Sequence, residues 1–212
     1  MKLLGHALSE LLEVLAPTLC AACDERASGA FCDSCRQSAE PTPRGRSLDG
    51  VPLVVAGHYA PPLSTAIVRF KYEGRAELSR CLAQVLAPSL AELALPAGAA
   101  LVPVPLHPKR LAARGYNQAA LLARDLAKAT GLSCRARLLQ RARETERQVG
   151  KARRHRLTNA LGAFTVRQRD VARVVLVDDV VTTGSTVRAC AQALAKEGIE
   201  LVAVVALAQA LL

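Results

Sequence analysis

The sequence predicts an α/β fold, a parallel sheet flanked by helices, behind a small N-terminal four-cysteine segment. Three observations carry that expectation. Residues 174–177 form an apolar, valine-rich run, short enough for a strand buried on both faces, as strands of parallel sheets are. After two acids and a turn of small residues, the period becomes helical: Val187, Cys190, Ala191 and Leu194 fall at i, i+3, i+4 and i+7, and Gly198 is placed to stop the helix. A second apolar run at 99–104 leads into its own amphipathic helix, expected over 117–130 and ended by Gly131.

Residues 173–186 read R-V-V-L-V-D-D-V-V-T-T-G-S-T. Asp178 and Asp179 fall where the first strand is expected to end, and Thr182, Thr183, Gly184, Ser185 and Thr186 precede the helix. A helix N-terminus offers unpaired N–H donors and the positive end of a dipole. A glycine lets the backbone approach a phosphate, and hydroxyls add donors. Taken singly, each feature also suits a buried strand that ends in two solvated acids before a capped helix. Taken in order, V-V-L-V-D-D-V-V-T-T-G-S-T resembles the phosphoribosyl-pyrophosphate (PRPP) motif of the type I phosphoribosyltransferases. The resemblance implies that Asp178 and Asp179 hold the ribose 2′- and 3′-hydroxyls, and that Thr182, Thr183, Gly184, Ser185 and Thr186 wrap the 5′-phosphate.

A chain of 212 residues accommodates one or two domains. Its 51% hydrophobic content, with three Phe, three Tyr and no Trp, predicts an aliphatic core. The net charge of +10 suits anionic ligands such as phosphates, pyrophosphate or nucleic acid. Much of the excess sits in residues 135–156, where nine Lys and Arg face only Glu144 and Glu146. The N-terminus begins like a secretory signal, but His6, Glu10 and Glu13 interrupt the apolar stretch. Leu4, Leu8, Leu11, Leu12 and Leu15 instead fit one face of a short amphipathic helix, packed on its own protein or lying on a membrane surface. Residues 201–212 are apolar but too few to span a bilayer, and read as a buried final strand. A cytoplasmic protein without a membrane span is expected.

Of the seven cysteines, Cys20, Cys23, Cys32 and Cys35 form C-x2-C-x8-C-x2-C, while Cys81, Cys134 and Cys190 are scattered. Two such tight turns can aim four thiolates at one ion, which suits a tetrahedral zinc site; an iron–sulfur cluster also accepts four cysteines. Disulfides would need an oxidising compartment, which nothing in the sequence supports. So short a segment has almost no core, and metal binding would hold it together. Cys190 falls on the apolar helix face and reads as core.

Residues 37–50, rich in Pro, Ser, Arg and Gly without period, read as a linker. They divide the chain into residues 1–47 (helix, knuckle and linker) and residues 48–212 (the sheet domain). A strand is expected at 52–59. Pro61 and Pro62 then open a helix carrying Ile67, Val68 and Phe70 and running into Arg69-Phe70-Lys71-Tyr72-Glu73-Gly74-Arg75. Such interleaved cations and aromatics suit the stacking of a ring over a phosphate, or a helix end with snorkelling cations. A long helix is expected over 76–95, broken or bent at Pro88. The prolines of Pro105-Leu106-His107-Pro108 are expected to forbid a helix, so that Lys109 and Arg110 project from a loop at a strand's carboxyl end, where open α/β sheets bind ligands. A lone His107 in such a loop is not expected to be a base. Residues 138–159 are basic with little period, a solvated loop or a flap that closes over an anion. Residues 160–166 are expected to return as a strand or hairpin arm beside the 174–177 strand.

Over about residues 17–207 the chain resembles the ComF family, GntX-like phosphoribosyltransferase-fold proteins linked to natural competence. The resemblance rests on the four-cysteine knuckle, the Arg69 to Arg75 segment, and V-P-V-P-L-H-P-K-R from Val102 to Arg110. It continues with Arg114-Gly115-Tyr116-Asn117-Gln118, Gln148, Gly150, Arg156, Asn159, Ala163-Phe164 and the PRPP motif. Lys151 departs from the leucine usual in the family. The resemblance implies that Lys109, Arg110 and Arg114 neutralise the pyrophosphate and that Mg²⁺ bridges pyrophosphate and ribose. It implies too that residues 50–75 and the knuckle form the hood that selects the acceptor. Two functions follow from it: a phosphoribosyltransferase, as in nucleotide salvage, or a PRPP-fold module that binds single-stranded DNA or a competence helicase during DNA uptake. Other enzyme classes lack their signatures, for the chain has no G-x4-G-K-[ST], G-x-G-x-x-G, H-E-x-x-H or G-x-S-x-G.

Overall fold

A computed structural model describes residues 18–38, 46–141 and 163–210. The expected N-terminal helix, half of the linker and the greater part of the basic segment lie outside the described residues. Helix α1 (Asp33–Gln37) belongs to the knuckle. The sheet domain follows as β1 (Ser47–Leu48), β2 (Val51–His58), α2 (Leu63–Tyr72), α3 (Leu78–Ala91), β3 (Ala100–Pro103), α4 (Pro108–Arg114), α5 (Gln118–Thr130), β4 (Ser133–Cys134), β5 (Leu139–Arg141), β6 (Phe164–Val166), β7 (Arg173–Val181), α6 (Ser185–Lys196) and β8 (Glu200–Gln209).

The main sheet runs β1-β2-β8-β7-β3-β4, parallel throughout except for the antiparallel β1–β2 pair. Alternation along the strands divides the core into two layers. Val175 and Val177 of β7, with Val205 and Leu207 of β8, pack toward α2, α3 and α5. Val174 and Leu176, with Val204 and Ala206, pack toward α6 and the β5–β6 pair. The valine-rich run is thus buried on both faces, as its composition predicts.

Helix boundaries follow local chemistry. The Asn117 Oδ1 caps α5 by accepting the Ala119 N–H at 3.0 Å, and Gly131 closes that helix at φ 76°. Helix α3 is shorter than the expected 76–95 and carries Pro88 inside it. The buried face of α2 is Leu63, Ala66, Ile67 and Phe70, whereas Val68 is 38% exposed. On α6 the buried face is Val187, Ala189, Cys190, Ala193 and Leu194, with Ala191 only half-buried.

Three expectations are corrected. Residues 108–114 form helix α4, not a loop: Pro108 stands at its first turn, where a missing N–H costs nothing, and the His107 Nδ1 accepts the Lys109 N–H at 3.2 Å. Strand β6 pairs with β5, not with β7, because both edges of β7 are already taken by β3 and β8. Strand β7 also runs past its acids to Val181, because β8 keeps pairing with it: Asp178 lies opposite Ala206, and Val181 opposite Gln209.

One polar contact crosses the helical layer. The buried Ser79 Oγ donates to Asp125 Oδ2 at 2.6 Å, and Lys128 Nζ lies 3.2 Å from Oδ1. Burial pushes the Asp125 carboxyl up, but the Ser79 hydroxyl and Lys128 outweigh it and hold the group below the usual carboxylate range. Because the folded value is depressed, the contribution is present above the unfolded pKa and is lost as pH falls through the folded one. Ser79→Ala is expected to lower stability by about 1–3 kcal/mol at neutral pH, with the deficit shrinking in acid. Chemical denaturation of both proteins at neutral and acidic pH checks this.

Candidate functional site

A cleft of about 420 Å³ opens at the carboxyl edge of the sheet. Strand β7 contributes Asp178 and Asp179, and the chain beyond it Thr182 and Thr186. The segment after β3 contributes Pro105 and Leu106, α4 contributes Arg110 and Arg114, and α2 contributes Lys71 and Tyr72. A second, more apolar hollow of about 370 Å³ lies between the knuckle, the end of β2 and α3, but its lining includes no carboxylate.

The acid pair is the electrostatic centre of the cleft. The Asp178 Oδ1 accepts the Asp179 N–H at 2.8 Å, and the Asp179 Oδ1 lies 2.7 Å from Lys71 Nζ. Both partners of that ion pair are mostly buried, with side chains 14% and 15% exposed. Burial, and then the neighbouring Asp179 charge, push Asp178 up to about 7, against the Asp179 N–H and Lys71, which act in the opposite direction.

The turn after β7 is braced from outside. Gly184 sits at φ 75° ahead of α6, a left-handed conformation that L side chains rarely adopt. A Cβ there would also lie 2.7 Å from the δ-carbons of Leu48. No side chain caps the N-cap position of α6, and the Thr183 Oγ1 accepts the Ser185 N–H at 3.4 Å. Arg188 donates to the Thr183 carbonyl at 2.6 Å and to Asp49 Oδ2 at 2.6 Å, fixing the turn to the β1–β2 connection.

Of the residues singled out from the sequence, Asp178, Asp179, Thr182, Thr186, Arg110 and Arg114 line this one cleft. Thr183, Gly184 and Ser185 form the turn itself. Lys109 is exposed in the first turn of α4 and is not part of the lining. The Arg114 Nη1 donates to Gln118 Oε1 at 3.1 Å, and its guanidinium lies 4.6 Å over the Tyr72 ring. Lys71 and Arg141, which the sequence offers only as parts of longer cationic segments, also line the cleft. The signal for Lys71 lay in the mixed cation–aromatic segment. Arg141 falls in the segment expected as a solvated loop or an anion-closing flap, and it ends a strand whose three residues are too few to show a period.

The knuckle brings its four thiols together. The Sγ atoms of Cys23 and Cys32 are 3.6 Å apart, those of Cys23 and Cys35 3.8 Å, and all four lie within 4.8 Å of one another. Tetrahedral zinc with Zn–S near 2.3 Å places its sulfurs roughly 3.8 Å apart, so the four cysteines can hold a zinc ion. Burial raises the Cys20 thiol, but the N–H groups of Cys32, Ala22 and Cys23, with the Cys23 thiol, outweigh it and bring it down to about 6. The segment joins the core of the sheet domain: Cys20, Ala21, Ala30 and Phe31 are buried in the layer that contains α2 and α3. Asp24, in the first cysteine turn, pairs with Arg69 and lies 3.1 Å from Arg75. Cys81, Cys134 and Cys190 stand apart from this group.

Two outcomes are expected. Elemental analysis should find about one zinc per chain, lost in Cys32→Ser. Because the folded Asp178 pKa is raised, its stabilising contribution is full below the unfolded value of about 4 and is lost as pH rises through about 7. Asp178→Asn should therefore melt at a higher temperature, relative to the parent, at pH 8 than at pH 4 by roughly several degrees. Thermal melts of the two proteins at both pH values check the sign.

Comparison with known proteins follows the same lines. The phosphoribosyl transferase domain family matches residues 111–211, which include α5, β7, the acid pair and α6. Competence protein F of Haemophilus influenzae is 39% identical over 168 residues, covering 74% of this chain and 72% of that protein. The DNA utilization protein YhgH of Escherichia coli K12 is 34% identical over 193 residues, covering 85% of each. Among solved structures, adenine phosphoribosyltransferase from Leishmania tarentolae is similar at 19% identity and a TM-score of 0.40, over 67% of this chain and 74% of that one. No described helix is long and apolar enough to cross a membrane. With relatives this similar over most of both chains, and the phosphoribosyltransferase domain matched across the cleft's own strand and helix, the chain belongs to the ComF family of phosphoribosyltransferase-fold proteins.

Proposed function

We propose that the cleft binds PRPP and that the protein is a phosphoribosyltransferase, transferring ribose 5-phosphate to an acceptor with loss of pyrophosphate. The observation that carries this reading is the pair Asp178–Asp179, followed at once by a tight hydroxyl-bearing turn that opens α6, in a cleft whose opposite wall is cationic. The two carboxylates accept hydrogen bonds from the adjacent ribose hydroxyls. Thr182 and Thr186, with the backbone of Thr183, Gly184 and Ser185, receive the 5′-phosphate at the helix N-terminus. Arg110 and Arg114 face the pyrophosphate, and Lys109 stands beside them in the first turn of α4.

Departure of pyrophosphate from C1 leaves positive charge on the ribose and concentrates negative charge on the leaving group. Fixed cations at that wall stabilise the second while the acid pair holds the sugar rigidly. Asp178 and Asp179 are the carboxylates of the cleft lining, so they are the residues that would help hold a magnesium ion there. Such an ion supplies further neutralisation of the leaving group. We assign zinc to the knuckle because four sulfurs this close enclose one ion, whereas the irons of a cluster would hold them further apart. Reduced thiols of this kind suit the cytoplasm.

A second reading has its own support in the names of the relatives, competence protein F and DNA utilization protein. On it the PRPP fold serves as a binding module for single-stranded DNA or a helicase partner, and the charge of +10 supplies the attraction. Binding of single-stranded DNA that weakens steeply with salt favours it; its absence at moderate salt removes the nucleic-acid form.

Calorimetric titration of PRPP with Mg²⁺ tests the first reading. Each lost carboxylate removes a charge-assisted hydrogen bond of about 1.5–3 kcal/mol. Replacing Asp178 and Asp179 together by Asn is expected to weaken PRPP at least about tenfold while leaving metal content unchanged. A parent protein that does not bind PRPP, or a double variant that binds it equally well, would favour a vestigial site.

A further inference from the structure

We propose that Lys71 is a ligand-binding residue of the cleft, held on Asp179 in the free protein and drawn to the diphosphate on binding, a move that ribose hydroxyls on the acid pair assist. This deepens the PRPP reading and rests on it.

The last turn of α2 is tied down residue by residue. Arg69 pairs with Asp24 of the knuckle, and its Nη1 lies 3.4 Å from the Ala21 carbonyl. The Phe70 carbonyl accepts from the Tyr116 hydroxyl at 2.5 Å. Tyr72 lies under the Arg114 guanidinium. Between these anchors, Lys71 reaches Asp179 at 2.7 Å. Its backbone is fixed from both sides by contacts to the knuckle and to the α4–α5 connection, so the fold sets the part of the cleft that its side chain can reach.

Stability alone does not account for a lysine here. Taking an ammonium and a carboxylate out of water costs several kcal/mol for each ion, and a well-packed apolar pair is often as good. In the cleft, however, the pair has a defined exchange reaction. Ribose hydroxyls donate to Asp179 and compete with Lys71 for its lone pairs. A diphosphate brings more negative charge than one carboxylate, in the same low-dielectric space, so the ammonium moves toward it. Arg110 and Arg114 lie on α4 and Arg141 on β5, so a cation arriving from α2 adds charge from a third element. The free protein thereby keeps Asp179 neutralised, and the ligand recruits the charge that neutralised it.

The test titrates PRPP, ribose 5-phosphate and inorganic pyrophosphate into the parent protein, Lys71→Met, Lys71→Gln and Lys71→Arg at fixed Mg²⁺. Thermal melts check that each variant is folded, and the Gln variant retains a donor should Met destabilise the acid pair. Expected is a loss of at least about tenfold for PRPP and pyrophosphate in the Met and Gln variants, with ribose 5-phosphate unchanged or tighter. Lys71→Arg should retain more of the PRPP affinity than either. Unchanged PRPP and pyrophosphate binding in the Met and Gln variants overturns the proposal, as does an equal loss for ribose 5-phosphate, which would make Lys71 a brace for the acid pair. A parent protein that binds pyrophosphate but neither ribose ligand overturns the PRPP reading, and the Lys71 contact is then decided by pyrophosphate alone. Binding of none of the three overturns both.

Discussion

Two adjacent carboxylates near the carboxyl end of a strand hydrogen-bonded on both sides impose the condition that the rest of the structure meets. Strand β7 cannot shift to carry its acids into water, because β3 and β8 fix its register and the valines before them are fully buried. Asp178 and Asp179 must therefore be compensated where they stand. The Asp179 N–H and Lys71 supply part of that compensation, yet burial and mutual repulsion still push Asp178 up to about 7. A site left partly uncompensated favours a ligand that brings its own donors, and ribose hydroxyls are such donors.

The same condition explains why helix α2 belongs to the cleft and why the knuckle, which lends no residue to its lining, bears on it through α2. The cation on Asp179 has to come from an element that is itself held. The end of α2 meets that need through Asp24 on one side and through Tyr116 and Arg114 on the other. The knuckle is too small to enclose a core, but it contributes four buried residues to the layer shared with α2 and α3. A metal on its thiols would stabilise the turn that presents Asp24, and through the Arg69 pair it would steady the end of α2.

Glycine and arginine divide the work in the turn after β7. Gly184 is required by its left-handed φ and by Leu48, which fills the space a side chain would take. Arg188 holds the Thr183 carbonyl and Asp49, so it faces the β1–β2 connection and not a ligand. A motif that reads as a string of ligand contacts thus contains a glycine needed to form the turn, and an arginine just beyond it braces that turn. Other motif residues, such as Thr182 and Thr186, face the cleft.

Local chemistry made much of this legible. The valine run, the hydroxyl turn and the helical period located β7 and α6, and Asn117 and Gly131 located α5, because strand burial, capping and left-handed glycines depend on near neighbours in sequence. The paired cysteine turns announced a metal-sized cluster for the same reason. Misreadings arose where a distant partner decides. Pro108 was taken to exclude a helix that it starts, since the His107 cap depends on how the chain leaves β3. Strand β6 was assigned to β7 before the neighbours of β7 were known. Lys71 and Arg141, far from the PRPP-like motif in sequence, join the site only because sheet order and helix packing bring α2 and β5 to its edge. The sequence by itself determined the strand, turn and helix of the candidate phosphate site and the thiol cluster, through interactions within a few residues. Tertiary structure alone decided which cations face the acid pair, because a charge acts through space and its reach depends on where folding places it.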